Sequence, residues 1–552
     1  MNFTAKLALV LALLTLPVFG QSTGLPAPGV TAASCASGYF VTGWNATTGV
    51  PSCAAGSTGV ALTQRGVNAV ADEGFVADNT TDNGPKLQAW LNGLSTTGAH
   101  ELWIPAGQYK FLTGSTTNAN NVTIICEGNS GWGDGGTVQL NQDMAAPIIW
   151  FDAAGSTQLQ GPRIENCNAY DVSGTGQAEA AFRFSNVQNM QLWNLNISDY
   201  KGTLYTTGTV SVVNGNATVT GTSTVWTAAM VPGDLSIAGK FQQVCAFVSA
   251  TSLTLCDKYL GATNATASYA LQTGIGLLLD GGQNGTAGDF TQYGDVYNLR
   301  GVDNAITVMA WGWENSNNGV SRVTFHSGFI DCDRVANSIA LDAGPYVDTI
   351  GWHLMSNNCA IHANLDETVN MDIAHSVFEN DGAAPVVTTC NGGTASKACT
   401  FGAYLDGGVV SHTFGNRIDN DSFNGLGTPV QLGPNANHTH VVNLDPTDQG
   451  NTNLLILPGT GSTADLTTFT TSNMAMNDVT GTATLASGTA THTFATGVDN
   501  YYFLNAPNCN AWDITTPANL TYATMSTATP WVMTLHGTGT DVVKWHCDLV
   551  GQ

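Results

Sequence analysis

Along most of this chain, apolar and polar positions alternate in short runs that break at Asn, Asp or Gly. That is the pattern of strands buried on one face and closed by turns. One stretch departs from it. In "DNTTDNGPKLQAWLNGL", residues 78–94, Leu87, Trp90, Leu91 and Leu94 fall at i, i+3, i+4 and i+7, the spacing of a helix with one apolar stripe. Asn83 is placed to cap it, Pro85 lies in its first turn, and Gly93 and Gly98 end it.

The strand-like runs between residues 120 and 445 contain a repeat. "FHSGFIDC" (325–332), "WHLMSNNC" (352–359) and "AHSVFEND" (374–381) align without gaps, at offsets of 27 (325 to 352) and 22 (352 to 374), and "RIDND" (417–421) is a looser fourth copy. Periods in the twenties with aromatic or β-branched strands and polar turns mark a solenoid. The regular leucines of leucine-rich repeats are missing, so a parallel β-helix is predicted. In this register Cys332 lies over Cys359 at the ~4.8 Å strand spacing, within disulfide reach. Asn358, Asn380 and Asn420 then form a stacked amide ladder at one turn. The first coil of a solenoid leaves apolar interior and an unpaired edge open. The helix is predicted to cap that end, with Leu87, Trp90, Leu91 and Leu94 facing down into the coils.

The flanking pieces read differently. Residues 1–20 carry Lys6, the apolar run "LALVLALLTLPV" and a Val18-Phe19-Gly20 cleavage site, the parts of a secretory signal. The run is too short to span a bilayer, and no later run is longer. Residues 21–63 hold "CASGYFVTGWNATTGVPSC", a disulfide-closed hairpin or stalk. Residues 64–201 form the first part of the β-helix with its cap, 202–272 an inserted β-module of short hairpins, 273–450 the second part, and 451–552 a C-terminal domain resembling a β-sandwich. The expected fold is thus an all-β, right-handed parallel β-helix with these additions, exported to the extracellular space or cell surface.

Forty acidic against fifteen basic residues give a net charge of −25, or −26 once Lys6 is removed with the signal. That excludes nucleic acid as a partner class and disfavours a polyanion unless Ca²⁺ bridges the two. Only 10% of residues are charged, but 43% are hydrophobic and 9% aromatic, enough to build a core. Twelve cysteines in an exported chain imply disulfides. Sequence order pairs Cys35 with Cys53, Cys126 with Cys167, Cys245 with Cys256, Cys332 with Cys359, Cys390 with Cys399 and Cys509 with Cys547. There is no CxxC and no zinc-type Cys/His spacing, so no metal site is expected.

"VNAVADEGFVADNTTDNGPKLQAWLNGL" followed by "ELWIPAGQYKF" resembles the entry segment of the pectate-lyase-like right-handed β-helix superfamily, which is shared with tailspikes. Asp72, Gly74, Asp78, Thr81, Asp82, Pro105, Ala106, Gly107 and Tyr109 match its pattern, while Glu73, Asn79 and Asn83 depart from it. The match covers about fifty residues. It implies the fold and an association with polysaccharides, through lyases, hydrolases, epimerases or tailspikes, without choosing among them. The polygalacturonase-type active-site set is absent. The hairpin and the inserted module resemble tail-fibre-like pieces, which points to attachment or to assembly as a homo-oligomer, such as a trimer, or a filament.

Candidate chemistry gathers in the repeated coils. Glycoside hydrolysis needs two carboxylates, ~5–5.5 Å apart for retention and ~6.5–9.5 Å for inversion, spacings that adjacent and next-but-one coils approach. Asp331, Asp333, Glu379 and Asp381 are the candidate acid and base. The same residue types also end strands by accepting backbone N–H bonds. His326, His353 and His375 share one column and are candidates for binding sugar hydroxyls. A one-residue slip in "VNMDIAHS" would take His375 out of it. Trp311 and Trp313, two apart with Glu314 beside them, make a candidate stacking platform. Arg322 and Arg334 flank the His326–Asp333 segment and keep open a lyase with an arginine base, for which Ca²⁺ is the one cofactor to consider. The reading is a polysaccharide-active protein, a carboxylate hydrolase ahead of a lyase. A non-catalytic glycan-binding adhesin and a purely structural surface protein are the rivals.

Overall fold

The structure is a computed structural model. It describes residues 39–44, 51–55, 66–95, 98–128, 138–173, 179–259, 261–281, 288–313, 318–332, 335–366, 368–380, 401–406, 416–419, 422–424, 426, 428–432, 439–442, 455–456, 463–465, 478–494, 508–519, 521–526 and 531–548. Residues 1–65 and 66–552 form two compact units. In the first, Tyr39–Trp44 and Pro51–Ala55 pair as an antiparallel hairpin.

In the second unit the chain visits three sheets in turn, coil after coil, and each strand pairs in parallel with its counterpart one coil later. The first sheet runs from Val67–Asn68 to Thr463–Asp465, the second from Gly107–Phe111 to Ser422–Asn424, and the third from Ser115–Thr117 to Leu455–Ile456. This is a parallel β-helix. Its coils continue to Asp465, past the expected boundary at 450. Because side chains alternate along a strand, one column of the first sheet faces inward. Leu102, Ile124, Ile164, Leu192, Val296 and Phe325 stack there and are buried.

The cap helix spans Gly84–Asn92 with Pro85 in its first turn and Gly93 at its C-terminus. Leu87, Trp90 and Leu91 are buried in the same core as Leu102 and Ile104, and Leu94 packs against it. The expected Asn83 side-chain cap is not made. The Asn83 amide is buried and ties the preceding loop, accepting from Val76 N and donating to the Val76 and Thr81 carbonyls. Asp82 takes the helix-start role instead. Its Oδ1 accepts from Gly84 N and Leu112 N, and its Oδ2 from the Thr113 hydroxyl. Partial burial would raise the Asp82 pKa, but these bonds outweigh it and hold the carboxyl below its usual range.

Coil-to-coil disulfides join Cys126 to Cys167 and Cys332 to Cys359, and Cys245–Cys256 lies in the inserted module. Cys509 is disulfide-bonded and pairs in register with Cys547. The expected bridges Cys35–Cys53 and Cys390–Cys399 involve positions outside the described residues. The Cys332–Cys359 bridge closes a span of 27 residues, and a loop of that size constrains the unfolded chain by about 3–4 kcal/mol. The double substitution Cys332→Ser/Cys359→Ser is expected to lower stability by about that amount, read by urea unfolding under non-reducing conditions.

The gapless alignment needs correction at the corners. Phe325 pairs with Trp352, but Asp331 pairs with Asn357 rather than Asn358. The first of these coils carries an extra residue at Gly328 (φ 152°), and the next at Asn358 (φ 53°). Asn358 and Asn380 are buried at that corner, with Asn380 donating to the Cys359 carbonyl, and Asn420 lies outside the described residues. The amide ladder that the described residues display is at the other corner, where Asn298 donates to Asn194 and Asn194 to Asn166.

The inserted module leaves the β-helix between Asn196–Ser198 of the second sheet and Ile275–Asp280 of the third. Its two chain ends cross at a neck where a Cβ on Gly274 would lie 2.4 Å from Gly202 Cα, and both glycines have positive φ. An eight-stranded antiparallel sheet from Leu204 to Gln272 follows, with its own core around Val210, Trp226 and Tyr259. Its strand Lys240–Ser249 docks on the outer face of the third sheet, where Phe241, Cys245 and Cys256 pack with Leu278, Met309, Trp311 and Tyr404. Gln243 Nε2 donates to the Ala310 and Asp342 carbonyls.

That contact buries two acids, Asp234 of the module and Asp342 of the third sheet. Burial raises the Asp342 pKa to about 7, against the Asn364 and Gln243 bonds that favour its charge. Burial and the neighbouring Asp342 raise that of Asp234 well above its usual value. Folded-state values above the unfolded ones contribute stability that is full below pH ~4 and lost as pH rises through about 7. Asp342→Asn is therefore expected to flatten the fall in melting temperature between pH 5 and 8, read by differential scanning calorimetry. An unchanged pH slope would refute this assignment.

The C-terminal domain pairs Asp478–Thr484, Val542–Asp548 and Asn508–Asp513 in one antiparallel sheet, and Thr489–Phe494, Trp531–His536 and Tyr522–Met525 in another. Leu485, Met533, Leu535, Val543 and Trp545 form their shared core.

Candidate functional site

With the middle of the third sheet covered by the module, the outer faces of the first and second sheets and the corner between them offer the longer uninterrupted surface for an extended ligand. On the first sheet two outward columns run along the axis, two residues apart on each strand. One includes Arg163, Gln191, Asp295, Thr324, Gly351 and Asp372. The other includes Glu165, Trp193, Tyr297, His326 and His353, at the end of each strand just before the corner.

Trp193 stacks on Tyr297 at 4.2 Å and 20°, and Tyr297 on His326 at 4.3 Å and 8°. Both faces of Tyr297 are therefore used. His326 Nε2 lies 2.7 Å from Asp295 Oδ1, with side chains 35% and 46% exposed. A carboxylate only accepts, so Nε2 donates this bond, and in the neutral imidazole Nδ1 is the acceptor. His353 is fixed the other way, since its Nδ1 donates to the Ala374 carbonyl at 2.8 Å and leaves the lone pair on Nε2. That nitrogen leans over Gly351, where an added Cβ would lie 3.1 Å from it. His375 leaves the column. Ala374 sits at the first-sheet position after His353, and His375 (φ 55°) is the exposed extra residue of the corner.

On the second sheet, Val302, Asp331, Asn357 and Glu379 form one outward column on successive coils. Asp331 and Glu379 are half-buried and two rungs apart, about 10 Å at the backbone. Asp333 and Asp381, the other two candidate acids, lie outside the described residues, as do Glu314 and Arg334.

The expected tryptophan platform is not formed. Trp311 is 4% exposed, its Nε1 3.1 Å from Cys256 Sγ beneath the module. Trp313 is half-buried beside it, and the two line a cavity of about 10 Å³ with Asp280 and Asn318. Arg322 is exposed on the first sheet but engaged with Tyr293, its Cζ 5.0 Å from the ring and its guanidinium bonded to the hydroxyl. No group of three or more His, Cys, Asp or Glu suited to a metal ion occurs among the described residues. No helix of the described residues is long and apolar enough to cross a membrane.

Sequence reasoning missed Trp193, Tyr297 and Asp295. The available signal was the shared pattern of "LWNLN" (192–196) and "VYNLR" (296–300), which the inserted module holds 104 residues apart.

No protein-family model and no curated protein matches this sequence. Among solved structures the chain is similar to the ORF18 protein of Geobacillus virus E2, with a TM-score of 0.35, 11% identity and coverage of 73% of this chain. The match spans 60% of that protein's length. It is also similar to a tailspike protein mutant of E. coli bacteriophage HK620, with a TM-score of 0.40, 11% identity and coverage of 92% and 97% of the two chains. A third is PfbA, a surface adhesin of Streptococcus pneumoniae, with a TM-score of 0.32, 8% identity and coverage of 72% and 92%. These likenesses are distant, and the fold stands on the strand pairing itself.

Proposed function

We propose that this protein binds an extended polysaccharide outside the cell, along the open corner between its first and second sheets. The observation that carries this reading is the row at that corner, where the Trp193–Tyr297–His326 ring ladder fixes His326, the Ala374 carbonyl fixes His353, and Asp295 stands on the coil before them. Such a row of acceptors suits a polymer with repeated hydroxyl donors. Its rings are stacked on each other, so recognition here is by hydrogen bonds rather than by sugar stacking. The disulfides fit an oxidising compartment, and the net charge of −25 favours a neutral polymer over a polyanion.

Affinity electrophoresis across neutral and acidic polysaccharides tests this. Each lost hydrogen bond is worth about 1 kcal/mol, so His326→Ala/His353→Ala is expected to weaken the binding of a retained neutral polymer by roughly tenfold or more. Unchanged mobility shifts in this variant would remove the corner from the account.

A second reading has its own observation. Asp331 and Glu379 share one outward column with a single rung between them, which favours hydrolysis of the bound polymer by a carboxylate pair. Reducing-end release without ultraviolet absorbance from unsaturated uronates would support it. Unsaturated product would instead indicate a lyase with an arginine base.

A further inference from the structure

Tryptophan is seldom left open to solvent, and Trp512 is 42% exposed. It stands on the edge strand Asn508–Asp513 of the C-terminal domain. Its neighbours Ala511 and Asp513 are half-buried and buried, and Ala511 packs against the domain core. The indole therefore points away from that core, on the outer face of its sheet. Thr482, Lys544 and Trp512 lie on one rung across the three strands. All three are exposed, as is Asn510 two residues before Trp512. Lys544 Nζ lies over one face of the indole, 5.7 Å from its centre, and Ile514, also exposed, follows along the chain.

From this arrangement we propose that the outer face of this sheet is a second glycan-binding surface, on which a pyranose ring stacks against Trp512. A pyranose presents a face of C–H groups rimmed by hydroxyls. The indole face away from Lys544 matches it, while Lys544, Asn510 and Thr482 supply polar groups for the hydroxyls. A protein partner would need roughly 800 Å² with an apolar centre, whereas here threonine, asparagine and lysine surround one ring and one isoleucine. An acidic sugar adds a carboxylate for Lys544, and a neutral one adds only hydroxyls. The surface lies on the C-terminal domain, so its use does not depend on the corner of the β-helix.

The test uses the full chain labelled with fluorotryptophan. The Trp512 resonance is assigned by its disappearance in Trp512→Phe and followed by ¹⁹F NMR during titration with soluble neutral β-glucan, galactomannan and polygalacturonate. Saturable shifts of that resonance are expected with at least one polymer. His326→Ala/His353→Ala should leave these shifts intact, and in that background, read by affinity electrophoresis, Trp512→Ala should lose polymer binding by tenfold or more while Trp512→Tyr retains most of it. A Lys544→Met loss confined to polygalacturonate would identify an acidic ligand, and equal binding of the neutral polymers a neutral one. A Trp512 resonance unmoved by every polymer, or shifts of that resonance that are lost in His326→Ala/His353→Ala, would overturn the proposal.

Discussion

Asp331→Asn and Glu379→Gln are each expected to lower polysaccharide hydrolysis by about 10²–10⁴-fold while leaving retention of the polymer near that of the native protein. The expectation follows from the strand register. Asp331 pairs with Asn357 and Asn357 with Glu379, so both acids project from one face with a single coil between them. Two strand spacings are about 10 Å, just above the ~6.5–9.5 Å at which an inverting pair admits a water between its carboxyls. An adjacent-coil pair would suit retention, but the intervening position is an amide. The first product released should therefore have inverted anomeric configuration, visible by NMR before mutarotation. Two outcomes would end this reading. One is an Asp331→Asn/Glu379→Gln double variant with native turnover. The other is a native protein that retains polymer and never cleaves it, which leaves a binding protein.

The cap helix was legible because its signal is local. Four apolar residues at helical spacing, a proline and a glycine all lie within seventeen residues of sequence, and the buried face of Gly84–Asn92 follows from them. The coils were legible for the same reason, since an inward residue at every second position is a property of each strand alone. Corners were not. Gly328, Asn358 and His375 each add one residue at a turn, with φ values of 152°, 53° and 55°. A gapless alignment carries such additions forward as a one-residue error. That error put His375 in the histidine column and set Asp331 opposite Asn358. Trp311 shows a different limit. Its outward direction on the third sheet follows from alternation, but what covers it is a module more than fifty residues earlier in the chain. Burial of an outward residue by a distant segment leaves no periodic trace. The Trp193–Tyr297 stack was hidden by the same module, which separates two neighbouring coils in sequence.

Beside the module's docking surface lies a buried ion-pair network, and Arg183→Met is expected to destabilise the folded chain by about 3–5 kcal/mol at neutral pH. Arg183 is buried on the third sheet, with Nε 2.9 Å from Asp280 and Nη1 2.5 Å from Glu179. Its guanidinium lies 4.2 Å from the Trp150 ring and 5.6 Å from that of Trp311. Burial alone would lower the Arg183 pKa, but Asp280 and Glu179 outweigh it and hold it above its usual value. Burial has the opposite effect on Glu179, raising its pKa against the pull of Arg183. Without the guanidinium both acids lose their counter-charge, and burial then holds the Glu179 pKa further above its unfolded value. The penalty is then greatest at neutral pH and shrinks as acid protonates Glu179, so the gap between variant and native protein should narrow from pH 7 toward pH 4.5 in urea unfolding. Replacing the acids as well, in Arg183→Met/Glu179→Gln/Asp280→Asn, removes the stranded charges and should recover part of the loss at pH 7. If the triple variant is no more stable than Arg183→Met alone, the arginine acts through packing between the two tryptophans rather than through charge.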